Sequence, residues 1–135
     1  MRKLIFVLFA AILASGCANM TTPKQRVYFI EPKDDQNVSQ EFKVVMGVDG
    51  MMVKPLGEMS PDTGHHHLLI DAANVPEGEI IPVDKPEQYK HFGKGQTETT
   101  VKLPPGKHKL TLQFADGAHR SYGERMRATL SVTVK

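Results

Sequence analysis

The sequence predicts an all-β domain, and three of its patterns carry that prediction. Apolar and polar residues alternate with a period of two in several short stretches, as in strands that bury one face. Eleven glycines and nine prolines punctuate the chain about every ten residues. No sustained period of 3.6 residues competes with these signals.

The first segment belongs to targeting rather than to fold. "MRKLIFVLFAAILASGC" opens with Arg2 and Lys3, continues with ten apolar residues from Leu4 to Leu13, and passes through small residues to Cys17. The run is too short for a membrane-spanning helix, which needs about 20 residues, but has the length of a secretory apolar region. Small residues before the chain's single cysteine resemble a bacterial lipobox. Residues 1–16 therefore read as a lipoprotein signal peptide. Cys17 reads as the lipidated mature N-terminus, and residues 17–25 as a polar tether. Ala18, where an Asp would signal inner-membrane retention, favours the outer membrane facing the periplasm. The expected membrane contact is this lipid anchor.

Residues 26–135 form the expected domain. "RVYFI" (26–30) is a first strand, and "EPKDDQN" a polar turn. "EFKVVMGVDG" sets Phe42, Val44, Met46 and Val48 on one face. "HHHLLID" is the next strand, followed by a Pro- and Gly-rich stretch, 72–95, with the least regular pattern. "TETTVKL" alternates Thr97, Thr99, Val101 and Leu103 against Glu98, Thr100 and Lys102. After the "PPG" turn, "KHKLTLQF" directs His108, Leu110, Leu112 and Phe114 inward. Asp116-Gly117 is a hairpin dipeptide. "MRATLSVTV" closes the domain with Met126, Ala128, Leu130, Val132 and Val134 on one face. About seven such strands imply two packed sheets, an immunoglobulin-like β-sandwich, with a small barrel as the alternative.

Composition and motifs remove several function classes. Without Arg2 and Lys3 the 17 basic residues fall to 15, equal to the 15 acidic ones. A formally neutral mature protein gives no electrostatic basis for nucleic-acid binding; Arg120, Arg125 and Arg127, interrupted by Glu124, read as a solvated face. "HFGKGQTE" (91–98) lacks the spacing of a phosphate loop. No G-x-S-x-G elbow, H-E-x-x-H helix or free cysteine nucleophile occurs. Asp62, Asp71, Asp84 and Glu87 lie near the histidines in sequence, with nothing to place two across a cleft. Asn37-Val38-Ser39 fits a sequon, but no glycan is expected in a bacterial envelope. The chain reads as a non-catalytic envelope domain, either one that binds a transition metal or, alternatively, a structural or partner- and ligand-binding module, and not as an enzyme.

The histidines are the remaining chemistry. Strand alternation puts His65, His67, Leu69 and Asp71 on one face and His66, Leu68 and Ile70 on the core face, with His66 at its mouth. His65 and His67 then lie about 7 Å apart at their β-carbons, close enough for both rings to reach one ion. His91 and His119 flank neighbouring strands and complete the candidate site. Asp71 is at best a support behind these ligands. Imidazole suits copper and zinc. Met51 and Met52, on a turn after Asp49-Gly50, are candidate soft ligands that would favour Cu(I), whereas Met46 reads as core. His108 reads as a satisfied buried histidine. Two other readings of the triple histidine stay open: a polar strand end, and a surface that charges near pH 6.

The blocks "GHHHLLID", "HFGKGQTE" and "LPPGKHKLTLQFADGAHRSYG" resemble the bacterial family called domain of unknown function 4399, over roughly residues 27–134. The resemblance implies a secreted or lipid-anchored envelope domain of immunoglobulin-like type, with no established activity. It leaves the role of the histidines to their chemistry.

Overall fold

The computed structural model describes residue 21 and residues 24–135. The expected signal peptide, Cys17 and most of the tether lie outside the described residues. Among the described residues nine strands run in order: β1 (Arg26–Glu31), β2 (Gln36–Val38), β3 (Glu41–Asp49), β4 (Met52–Val53), β5 (Thr63–Ile70), β6 (Tyr89–His91), β7 (Glu98–Lys102), β8 (Gly106–Ala115) and β9 (Arg127–Val134). A 3-10 turn, Glu124–Met126, leads into β9. No helix among the described residues is long and apolar enough to cross a membrane.

The strands form a sandwich-like pair of sheets. The smaller has the order β1-β3-β7. The larger has the order β2-β9-β8-β5-β4, with β6 also pairing with β5. Alternation explains the main core between them. Val27, Phe42, Val44, Met46 and Val101 come from the small sheet; Leu68, Ile70, Leu110, Leu112, Phe114, Leu130, Val132 and Val134 come from the large one. Burial of these side chains, each worth about 1.5–3 kcal/mol, stabilises the fold without a disulfide.

The short strands are where pattern reading falls short. β2 arises inside the stretch expected to be a polar turn and pairs in parallel with β9, Gln36 opposite Val132. β2, β4 and β6 are each too short to show alternation. The Asp116-Gly117 turn reverses the chain, but among the described residues the returning segment makes two isolated bridges, Ser121 to Ala115 and Arg120 to Ile80, rather than a strand before β9 begins.

β5 is set apart by its burial. All eight of its residues are buried, so both of its faces are covered. One face looks into the main core. The other lies under the irregular 72–88 segment, where Ala72, Val75 and Ile81 pack with Leu69 and Ala115 in a second apolar cluster. That segment is anchored by Ile81 N–H donating to His119 O at 3.0 Å and Ser121 Oγ donating to Val75 O at 3.0 Å.

Candidate metal centre

Two hydrogen-bonded registers bring the histidines together. On β5, His65 and His67 point away from the main core. β6 pairs antiparallel with β5, and His91 stands directly opposite His67. Residues directly opposite share a face, so His91 joins the same side. His119 arrives from the turn after β8. It has φ 65°, a left-handed conformation unusual for a residue with a β-carbon. Asp116 builds that turn. Its Oδ1 accepts from the N–H groups of Ala118 at 2.8 Å and Arg120 at 2.9 Å, and its Oδ2 accepts from Arg120 Nε at 2.9 Å.

The result is a cluster of four imidazoles. One ring nitrogen from each of His65, His67, His91 and His119 lies within 4.8 Å of the others. His91 Nε2 is 3.2 Å from His65 Nε2 and 2.9 Å from His119 Nε2. An ion bonded at about 2.0–2.1 Å sets adjacent nitrogens roughly 2.9 Å apart in a square plane and roughly 3.4 Å apart in a tetrahedron. Both measured separations fall in that range. Ring centroids are 4.4–5.5 Å apart.

Electrostatics favour the neutral form of His65, His67 and His91. Burial, reinforced by the neighbouring His91 and His119, pushes His65 down to about 4 from 6.5. Burial and the same like-charge neighbours push His67 well below its ordinary value. Burial and His119 lower His91. Neutral imidazole is the form that ligates. The cluster is also short of partners: His65 Nδ1 and both nitrogens of His67 make no hydrogen bond among the described residues. Each such buried group costs about 1–3 kcal/mol; a neutral imidazole carries one lone pair, so an ion would relieve one nitrogen per ring, one of the two on His67 among them.

Other residues depart from expectation. The polar strand end is corrected: His65, His66 and His67 are each 0% exposed. His66 lies within the core rather than at its mouth, edge-on to Phe114 with ring centroids 5.0 Å apart. Neither of its nitrogens has a partner among the described residues, and burial pushes it to about 4. Asp71 does not stand behind the cluster. At φ 51° it turns out of the strand, accepting from Lys109 N–H at 2.7 Å and from His108 Nδ1 at 2.6 Å. His108 is satisfied as expected, but at the sheet's edge, with its Nε2 donating to Pro104 O at 2.9 Å. Met46 is core as expected. Met51 also packs into the main core, and Met52 exposes its side chain on β4.

Sequence reasoning missed Asp116 and two glycines. A β-carbon on Gly93 would lie 2.3 Å from His91 Cε1 and 2.5 Å from Nε2. One on Gly117 would lie 2.2 Å from the Glu58 carbonyl oxygen. The glycines of "HFGKG" and "DGAH" are thus required by close approach around the site, a signal visible only as glycine beside histidine.

The sequence profile of a family described as "Domain of unknown function (DUF4399)" matches residues 44–135. The chain belongs to the DUF4399 family. The match runs from within β3 through β9 and contains all four clustered histidines. No curated protein and no solved structure matches the chain.

Proposed function

We propose that this DUF4399 protein is a non-catalytic, lipid-anchored envelope domain that holds a transition metal ion, copper or zinc, between His65, His67, His91 and His119. The observation that carries the reading is the convergence of four imidazoles from three separate segments, with buried nitrogens left without partners. A merely structural cluster would be expected to pair its nitrogens with carbonyls or carboxylates. The donor set is all nitrogen, which suits Cu(II) and Zn(II), with Cu(II) the tighter of the two in the general order of affinities. Met51 and Met52, one in the core and one exposed, give little support to a Cu(I) site built on thioethers.

The finer fold reading is immunoglobulin-like. Its support is the division of β1, β3 and β7 against β5, β8 and β9, which parallels A-B-E and C-F-G strands without a strand D. The location reading rests on the lipobox-like segment before Cys17, and mass spectrometry of the mature N-terminus tests it. A free N-terminus at any residue other than Cys17 would refute the anchor.

Calorimetry with Cu(II), Zn(II) and Ni(II) tests the metal reading. Wild-type domain should bind one equivalent of at least one ion, and the His65→Ala/His67→Ala variant should not. Binding no tighter than about 0.1 mM, or equal in both proteins, would leave the cluster a structural one.

A further inference from the structure

Resting on the metal reading, we propose that the bound ion keeps a position for a small carboxylate, taken up in the depression beside His91. This depression has a volume of about 290 Å³ and is lined by Leu56, His91, Gly93, Lys94 and Gln96.

Its position ties it to the ion. Gly93 sits against the Nε2 edge of His91, and that same nitrogen faces His65 and His119. With no side chain on Gly93, the coordinating edge of the ring borders the depression. His91 and His119 are the half-buried members of the cluster, while His65 and His67 are closed off. An incoming ligand therefore approaches from the side of His91 and His119, and the depression lies against His91.

Charge calls for an anion. Four neutral imidazoles leave a divalent ion with its full double charge in a largely buried place, and uncompensated charge there is costly. Asp116 is the carboxylate whose field reaches His65, but its oxygens are turned to the N–H groups of Ala118 and Arg120 and to the Arg120 guanidinium, which offsets its charge. A carboxylate from solution supplies the missing charge.

The lining favours an organic carboxylate over a bare ion. Lys94 supplies an ammonium at the rim. The side chain of Gln96 accepts from Lys94 N–H at 2.9 Å, which leaves its amide hydrogens free to donate. Leu56 supplies an apolar wall, held in place by its own N–H donating to Gly93 O at 2.8 Å and by Gly57 N–H donating to Gly117 O at 2.9 Å. One oxygen would bind the ion, the other would meet Lys94, and a short hydrocarbon tail would lie along Leu56.

The test loads the full domain with Cu(II), measures copper content, and titrates it with azide and then propionate by absorption and electron paramagnetic resonance. Azide should produce a charge-transfer band, and propionate should displace it. Lys94→Gln should retain copper and weaken propionate about three- to tenfold, the effect of one charge at a partly exposed contact; Lys94→Arg should restore most of it. Stoichiometric copper with spectra unmoved by either anion would overturn the inference and leave the metal reading intact. Failure of the wild-type domain to retain copper would overturn the metal reading, and this one with it. Equal propionate affinity in Lys94→Gln would overturn the assigned recognition.

Discussion

β5 carries histidine chemistry at one end and meets it again at the other, and the two ends are opposites. At the far end, His108 has a carboxylate on one nitrogen and a carbonyl on the other. Both partners are acceptors, so the ring is held as a double donor, and the Asp71 hydrogen bond raises its pKa. At the near end, four rings face one another with nitrogens to spare, and burial drives His65 and His67 the other way. A histidine used to fasten structure looks like His108. The cluster lacks every feature of that arrangement, which is why binding explains it better than fastening.

The largest effect should come from adding or removing the ion. At an ion concentration of about 100 times Kd, linkage stabilises the native state by about 2.7 kcal/mol, on the order of 10 °C in Tm for a domain of this size. Differential scanning calorimetry with and without metal should show that shift in the wild type and none in His65→Ala/His67→Ala. A large shift in the double variant would erase the contrast between the two ends. Gly93→Ala should come next. Its β-carbon would press on His91, so the ring must swing, and metal affinity should fall at least about tenfold, by the 1.4 kcal/mol rule, with the circular dichroism of the β fold unchanged.

Acid should then separate the two ends by sign. His65 and His66 have folded values of about 4 against 6.5 unfolded, so the unfolded chain binds more protons between those values. In the metal-free domain the contribution of these two rings is complete above pH 6.5 and should be lost progressively from 6.5 down to about 4. His108 has a raised folded value, so its contribution is complete below 6.5 and lost as pH rises through that raised value. Urea midpoints against pH for wild type, His66→Phe and His108→Gln should flatten the acid limb in the first variant and the alkaline limb in the second. Parallel profiles would mean that the two environments do not differ as described. The smallest effect belongs to Asp71→Asn. It keeps an acceptor for Lys109 N–H but removes the charge opposite His108, and should reduce the alkaline loss with metal binding untouched.

Much of the site is readable from residues alone, for definite reasons. Strand alternation correctly separates His65 and His67 from His66, Leu68 and Ile70, because a period of two leaves no other choice. His91 and His119 are reachable from their places beside neighbouring strands, and the registers join them to the pair. Coverage is not readable. Whether the histidine face is wet depends on where 72–88 lies, and Val75 and Ile81 sit in a segment with no periodicity to aim them. Alternation also carries Asp71 one step too far, since a left-handed residue ends the pattern. His108 is aimed correctly inward, but it stands at the sheet's edge, where Asp71 and Pro104 meet it.

The spacing of the four histidines has a consequence for the life history of the molecule. His91 lies 26 positions from His65 and 28 from His119, and only completed pairing of β5 with β6 and β8 unites them. An unfolded chain offers at most the local 65–67 pair, a weak chelator. Closing such long loops is a late event in chain collapse. An ion held by this cluster would therefore be taken up only after the sheets have closed, and the ions present at that moment would decide which one it is.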